Sequence, residues 1–178
     1  MPKPDPARSP GSADTLPASE RALARARAAA AAVVDPELPF LTIEELGILR
    51  GVRRAETGIV VELTPTYLGC PATLAIRLAV EAALVAAGFS EARVEMRLAP
   101  AWSTAEITAE GRRKLAAAGI APPAAAAGAA PLFSDPRVAC PRCGSERTHK
   151  LAEFGATACK AQWRCEACAE PFDYFKCI

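Results

Sequence analysis

The sequence contains ACPRCG at residues 139–144 and RCEACA at residues 164–169, and these two stretches decide how the C-terminal region folds. Each holds two cysteines in the spacing C-x-x-C, which lets both sulfurs of one tight turn reach a single metal ion. A gap of 21 residues separates the two pairs, and a hairpin of that length brings four thiolates to the corners of a tetrahedron. We therefore expect a four-cysteine metal-binding ribbon. Its predicted ligands are Cys140, Cys143, Cys165 and Cys168.

Zinc is the metal expected for this ligand set, but four thiolates also hold a single iron ion or an iron–sulfur cluster. Two disulfides are an alternative, which requires an oxidising compartment. A redox-active C-x-x-C is another alternative, and it usually lies in a larger α/β domain. Gly144 is expected to adopt the left-handed conformation that closes the first turn. Cys159 and Cys177 either pack or bind a second metal, and His149 is expected to be solvated.

The composition argues against several classes of protein. The net charge of the 178 residues is +1, so no long-range field attracts the chain to nucleic acid or to a membrane surface. No apolar run has the length of a membrane span, and residues 1–18 lack an apolar signal segment, so we expect a disordered tail there. Seven cysteines in such a chain fit the reducing cytoplasm. The predicted divisions are the tail at 1–18, a domain at 19–119, an Ala/Pro linker at 120–136 and the ribbon at 137–178.

The first part of the 19–119 region is predicted to be a helix followed by a stiff loop. The helix is rich in alanine and spans residues 20–34, with Ser19 as its N-cap. The loop DPELPF contains two prolines, which hold it extended and end the helix. Its carboxylates, Asp35 and Glu37, are most simply interpreted as solvated groups on a rigid connector.

The remaining elements of this region alternate between strand and helix. They are a capped turn at 42–47, strands at 48–54 and 59–64, a helix at 71–87, a strand at 92–98 and a helix ending at 118. The first two strands are joined by a short connection containing glycine, so they form an antiparallel hairpin. Trp102 is expected to be a lid on the core, and Thr108 is expected to cap the last helix.

Cys70 lies where the second strand leads into the 71–87 helix, in the sequence GCPA. Proline favours the first helical position, so Cys70 lies at or next to the N-cap. The unpaired amides and the dipole of the helix would stabilise a thiolate or a bound metal there. The alternative is a small buried residue that fills the strand–helix junction. The buried stripe of this helix is predicted to be Leu74, Leu78, Ala82 and Val85.

Two motifs, DPELP at 35–39 and TYLGCPA at 66–72, resemble those of the MIP18 (DUF59) domain, found in proteins that assemble and insert iron–sulfur clusters. Further stretches, such as PAWST at 100–104 and PFDYFKC at 171–177, are similar to the D components (PaaD, or PaaJ) of bacterial phenylacetyl-CoA monooxygenase (epoxidase) systems. The resemblance implies an α+β fold. It consists of a two-layer α/β domain of the iron–sulfur-assembly type, followed by a small four-cysteine zinc ribbon.

The resemblance also implies a function in aerobic phenylacetate degradation. The chain would be a non-catalytic accessory factor in iron–sulfur cluster assembly, and the expected client is the reductase of the system, which carries flavin and a [2Fe–2S] cluster. Cys70 would be a functional thiol that transiently holds iron or a cluster, with Asp35 and Glu37 as contributors. One cysteine does not complete a cluster's ligand set, so a homodimer, a partner or the loop at 35–40 would supply the rest. A structural subunit of the oxygenase complex is the alternative.

Two further functions are disfavoured. A nucleic-acid-binding ribbon needs an excess of positive charge, and the charges of residues 138–178 nearly cancel once four thiolates and Zn²⁺ are included. An independent cysteine hydrolase would need His149 as its base, which lies beyond the predicted linker from Cys70.

Overall fold

The computed structural model describes residues 17–123 and 136–176, so most of the predicted tail lies outside the described residues. The elements in chain order are α1 (Ala18–Ala31), β1 (Leu49–Arg54), β2 (Ile59–Leu63), α2 (Ala72–Ala86), β3 (Arg93–Met96), a 3-10 turn (Thr104–Glu106), α3 (Ala109–Ala117), β4 (Ile120–Ala121), β5 (Thr148–Ala152), β6 (Lys160–Cys165) and β7 (Pro171–Phe175). Across the two described ranges, no helix combines the length and the apolar character that crossing a bilayer requires.

A three-stranded sheet in the order β1-β2-β3 forms the centre of the N-terminal region. β1 and β2 pair antiparallel across a tight connection, as the sequence predicts. β3 pairs parallel with β2, and α2 makes the crossover between them. α1 packs against β1, β2 and α2. The predicted α+β arrangement of helices on a small sheet is therefore confirmed.

The segment between α1 and β1 folds back into the core. Four of its side chains are almost fully buried: Leu38, Leu41, Ile43 and Leu46. The predicted capped turn is present, because the amide of Thr42 donates to Glu45 Oε2 at 2.9 Å and the amide of Glu45 donates to Thr42 Oγ1 at 3.2 Å. Gly47 then takes a φ of 72°, where a Cβ would lie 2.5 Å from the backbone oxygen of Glu106. Glycine is therefore required at this close approach.

The limits of α1 differ from the prediction. The helix begins at Ala18, no side chain caps it, and the carbonyl of Pro17 accepts hydrogen bonds from the amides of Glu20 and Arg21. Proline fixes φ near the helical value, so the helix starts at Pro17 and Ser19 lies inside it. The helix also ends at Ala31, because a β-bridge between Val34 and Thr42 takes the following residues away.

The prediction of the buried face of α2 was wrong. The buried residues are Ala72, Ile76, Val80 and Leu84. The predicted stripe is on the outside: Leu74, Leu78 and Val85 are 64, 54 and 59% exposed, and Ala82 is exposed as well. Both stripes are apolar and have helical spacing, so the pattern fits either face. The sheet takes the stripe that starts at Ala72, whose small side chain lets the first turn lie close to the core.

The predictions for Trp102 and α3 are confirmed. Trp102 is 4% exposed, and its indole Nε1 donates to the carbonyl of Leu46 at 2.9 Å, so it closes the core as a lid. Thr108 Oγ1 accepts a hydrogen bond from the amide of Gly111 at 3.0 Å, which caps the first turn of α3.

The second sheet joins the ribbon to the N-terminal region. Its order is β4-β7-β6-β5, and β4 follows directly on α3. Ile120 and Ala121, the first two residues of the predicted linker, form this strand and pair in parallel with β7; most of the predicted linker, 124–135, lies outside the described residues. Phe175 in β7 is 2% exposed and belongs to the N-terminal core, with its ring centroid 6.3 Å from that of Trp102. The two regions therefore share a sheet and a core.

Phe175→Ala should destabilise the whole protein, because it removes an aromatic side chain from the shared core. We expect the free energy of unfolding of the metal-loaded protein to fall by about 3–5 kcal/mol in a denaturant titration. Phe154→Ala is the matched control. Phe154 is 65% exposed and contacts Lys176, whose Nζ lies 4.1 Å from the ring centroid, so its loss should cost no more than about 1 kcal/mol. Equal losses would contradict a shared core.

Candidate metal centre and thiol site

The four predicted ligands of the ribbon converge on one point. Their sulfurs all lie within 4.8 Å of one another. Cys140 Sγ is 3.8 Å from Cys168 Sγ, and Cys143 Sγ is 3.6 Å from Cys165 Sγ. A tetrahedral zinc ion with Zn–S bonds of about 2.3 Å holds its sulfurs roughly 3.8 Å apart, whereas a disulfide requires about 2.05 Å. The donor set therefore fits a single tetrahedral ion and is inconsistent with disulfides.

The two C-x-x-C turns have the same backbone form. After the first turn Gly144 has a φ of 72°, as predicted, and after the second Ala169 has a φ of 61° in the same left-handed region. These turns aim amides at the sulfurs. Hydrogen bonds from the amides of Cys168 and Ala167 lower the pKa of the Cys165 thiol to about 6. The backbone therefore favours the thiolate form that a metal ion needs.

A small core of its own supports this centre. It contains Val138, Cys140, Cys165 and the aromatic residues of β6 and β7. The rings of Trp163 and Tyr174 meet edge to face, with centroids 5.9 Å apart. Cys143 and Cys168 are exposed. The metal centre is thus half inserted into the ribbon, which is the arrangement expected for an ion that holds two turns together.

The left-handed positions offer a matched pair of substitutions. Ala169→Gly should stabilise the metal-loaded protein by about 0.5–1 kcal/mol, because glycine lacks the Cβ that makes this conformation costly. Gly144→Ala should destabilise it by a similar amount. An added Cβ at Gly144 would meet nothing within 4 Å, so the backbone conformation alone sets the cost. Unfolding free energies with zinc bound measure both effects, and a change of the same sign in both variants would contradict the equivalence of the two turns.

Cys70 lies directly before α2, as predicted. Pro71 occupies the N-cap position, and the amide of Thr73 donates to the carbonyl of Cys70 at 3.1 Å. Gly69 has a φ of 85°, and a Cβ there would meet nothing within 4 Å. The Cys70 side chain is half-buried. The thiol is therefore fixed at the start of a helix, beside a loop that leaves space for an approaching group.

The carboxylate of Asp35 is buried, so its interpretation as a solvated group was wrong. Asp35 is 7% exposed, and its Oδ1 accepts hydrogen bonds from the amides of Glu37 at 2.8 Å and Leu38 at 3.0 Å. This local turn points the side chain inward. Burial raises the pKa of Asp35 above its ordinary value, against the opposing effect of these two hydrogen bonds. Glu37 is exposed, as expected.

A small cavity separates Cys70 from the sheet. Its polar lining groups are Asp35, Thr66, Cys70 and Thr73, and its apolar lining includes Ile48, Leu63, Ile76 and Met96. The space amounts to about 20 Å³, which is enough for one water molecule or one ion. Two of the three predicted transfer residues, Asp35 and Cys70, therefore face the same cavity.

Two further residues surround Cys70, and sequence reasoning assigned neither of them a role there. The hydroxyl of Tyr67 is hydrogen-bonded to the Cys70 thiol, and burial followed by the charge of Cys70 raises the pKa of Tyr67 to about 12. Cys159, from the ribbon, packs against the same N-terminal core that Cys70 contacts. Its sulfur lies 3.0 Å from Thr157 Oγ1. Tyr67 belongs to the motif around Cys70, but no local pattern could place Cys159 beside it.

The two remaining candidates of the ribbon are simply located. His149 is exposed, with its Nδ1 3.3 Å from Glu166 Oε1, so the prediction of a solvated histidine is confirmed. Cys177 lies outside the described residues.

The burial of Asp35 predicts a pH-dependent difference between two variants. Asp35→Asn keeps an oxygen that accepts both amide hydrogen bonds but carries no charge. Because the folded-state pKa of Asp35 is raised, its ionisation costs stability, so the wild type should become less stable than Asp35→Asn as the pH rises through that pKa. Below the unfolded-state pKa of about 3.9 the two should be equally stable.

Denaturant titrations across this pH range measure the difference, and Asp35→Ala is the control. It leaves the amides of Glu37 and Leu38 without their acceptor, so it should be about 1–3 kcal/mol less stable than Asp35→Asn at every pH. An Asp35→Asn variant that is less stable than the wild type at neutral pH would refute this account of the buried carboxylate.

Comparisons with known proteins match both parts of the chain. Residues 124–176 match the PaaD zinc beta ribbon domain, and residues 23–101 match the iron–sulfur cluster assembly protein family. A protein of Escherichia coli (strain K12), provisionally named as the D component of 1,2-phenylacetyl-CoA epoxidase, is 48% identical over 146 residues, covering 82% of this chain and 87% of that protein. A crystal structure of a DUF59 domain from Bacillus anthracis superposes with a TM-score of 0.50 at 28% identity, covering 54% of this chain and 92% of that one.

Proposed function

Since the chain belongs to the family of the 1,2-phenylacetyl-CoA epoxidase D components, we propose that it is an accessory component of aerobic phenylacetate degradation. In this role it assists the assembly or maturation of iron–sulfur clusters in the phenylacetyl-CoA monooxygenase system. The observation that carries the proposal is the Cys70 thiol, held at a helix start beside a buried carboxylate, in a domain of the iron–sulfur cluster assembly type.

The geometry around Cys70 suits transient binding. Cys70 loses its proton to bind iron or a cluster, and it regains a proton when a thiolate of the client protein takes its place. Tyr67 is hydrogen-bonded to the Cys70 thiol and can steady the free thiolate between transfers. Asp35 offers its carboxylate to the same cavity, and Glu37 is exposed nearby as a further oxygen donor. A weak and incomplete ligand set favours release to a client that offers more thiolates.

The ribbon has a different role in this proposal. Cys140, Cys143, Cys165 and Cys168 hold a resident zinc ion, whose chemistry here is purely structural because all four positions of a tetrahedron are filled by protein. An enzymatic function is not proposed for the chain. A hydrolytic role for Cys70 would need a base, and the one histidine of the sequence, His149, is exposed on the ribbon and paired with Glu166.

The proposed client is the reductase of the oxygenase system, which carries the [2Fe–2S] cluster. A second candidate function is that of a structural subunit, which the name of the Escherichia coli relative favours because that name places it among the subunits of an epoxidase. The two functions differ in one requirement. An assembly factor needs the Cys70 thiol, whereas a structural subunit needs only the surface of the folded chain.

Co-expression with the reductase under iron-replete, anaerobic conditions tests the assembly role. Cys70→Ala should lower the iron and sulfide content of the purified reductase several-fold, because cluster delivery needs the thiol. The measurements are iron and acid-labile sulfide per flavin and the absorption spectrum of the cluster. Leu74→Ala, an exposed change on the same helix, is the control and should leave the cluster content unchanged.

Full cluster content with Cys70→Ala, together with its stoichiometric co-purification with the oxygenase, would reject the assembly role in favour of the structural subunit. Zinc analysis of each variant shows that the ribbon is intact. One zinc ion per chain should remain in Cys70→Ala and be lost in Cys140→Ala/Cys143→Ala.

A further inference from the structure

The ribbon brings a second thiol to the Cys70 site. Cys159 is half-buried at the start of β6 and packs against the N-terminal core, although it comes from the other part of the chain. Its backbone is held on both sides: the carbonyl of Cys159 accepts from the amide of Lys176 at 2.9 Å, and the amide of Lys160 donates to the carbonyl of Thr157 at 3.1 Å. The position of the sulfur is therefore set by β6 and β7 and not by a free loop.

The groups around the two sulfurs interact with each other. The Tyr67 hydroxyl is bonded to the Cys70 thiol and lies close enough to Cys159 to respond to its charge. Burial raises the pKa of the Cys159 thiol, and the charge of Cys70 raises it further, so the two sulfurs lie within electrostatic range. Thr157 Oγ1 is hydrogen-bonded to Cys159 at 3.0 Å, much as Tyr67 is bonded to Cys70.

The residues next to each thiol face one another as well. Lys160, which follows Cys159, is 8% exposed, and its positive charge partly offsets the effect of burial on the pKa of Asp35, which lines the Cys70 cavity. The Lys160 ammonium lies 3.7 Å from Asp173 Oδ2 on β7. A buried cation of the ribbon thus faces a buried anion of the N-terminal region, and the two thiols lie on the same seam. This opposition of charges supports the closeness of Cys70 and Cys159 independently of the thiols themselves.

We propose that Cys70 and Cys159 form one two-thiol site for a thiophilic metal ion, built from both parts of the chain. The identity of the ion as iron rests on the proposed function, whereas the pairing of the thiols does not. Binding of a divalent ion M²⁺ releases two protons, one from each thiol, and leaves a neutral bis-thiolate unit with no oxidation or reduction. Asp35 and the client protein supply the remaining ligands. The ribbon then completes the site instead of serving only as a separate docking module.

Chemical cross-linking tests the pairing without any metal. The zinc-loaded full chain is treated under reducing-agent-free, anaerobic conditions with dibromobimane, which becomes fluorescent when it bridges two neighbouring thiols. We expect a Cys70–Cys159 bridge in peptide mass spectra, lost in Cys70→Ser and in Cys159→Ser. Ala158→Ser is the matched control, because it changes a neighbour of Cys159 and keeps both thiols, and it should be bridged like the wild type. Single alkylation of each cysteine without a bridge would overturn the proposal.

Cobalt titration tests the shared metal site. Co²⁺ added to the zinc-loaded chain should give thiolate-to-cobalt charge-transfer bands, read against Cys70→Ser/Cys159→Ser as the background for exchange into the ribbon. Each single variant should lose about half of the intensity and bind at least roughly tenfold more weakly, since even changes outside the ligand set often cost that much. Zinc content and thermal melting confirm that the variants fold.

The outcomes separate this inference from the proposed function. Bands that disappear with Cys70→Ser and are unchanged by Cys159→Ser would overturn the two-thiol site and leave Cys70 as a single-thiol carrier. A two-thiol site combined with normal reductase clusters in Cys70→Ala would support the inference and refute the assembly role. Bands that are the same in the wild type and in the double variant would overturn the two-thiol site outright.

Discussion

Burial of Phe175 in the N-terminal core is the contact on which the rest of the structure depends. A ribbon of about forty residues is too small to bury much apolar surface, and its own core contains few side chains. A metal ion and a neighbouring core therefore both contribute to its stability. β7 connects these two supports, because Phe175 and Trp102 meet in the N-terminal core while Tyr174 packs on Trp163 in the core of the ribbon. Neighbouring residues of one strand thus face two different cores.

The two cysteine sites of the molecule illustrate opposite uses of the thiolate. In the ribbon, four sulfurs lie within 4.8 Å of one another, and backbone amides stabilise their charge. Such a site is complete and holds its ion firmly. At Cys70 the surroundings are a phenol, a buried carboxylate and a cavity of about 20 Å³. That arrangement leaves coordination positions for a partner, which transfer of a metal requires and a permanent site avoids.

The ribbon ligands and the hairpin could be predicted from the sequence because their signals are local. C-x-x-C spacing and a short glycine connection fix geometry within a few residues. The exposed stripe of α2 could not be predicted, because two apolar stripes compete and only the position of the sheet decides between them. The prediction for Asp35 was wrong for a related reason: its inward turn depends on two amide hydrogen bonds that a solvated loop would not need. The role of Cys159 stayed open, since its contact with the N-terminal core joins residues far apart in the chain.

The shared core also links the two sites energetically. Cys159 keeps its position through β6 and β7, and these strands carry or border the zinc-binding turns. An ion that orders the ribbon therefore also orders the thiol that we place beside Cys70. The metal centre and the transfer site need not touch for this to hold, because a strand transmits position along its length. The structural zinc would then set the geometry of the transfer site, which gives a physical reason for a single chain that contains both an assembly domain and a ribbon.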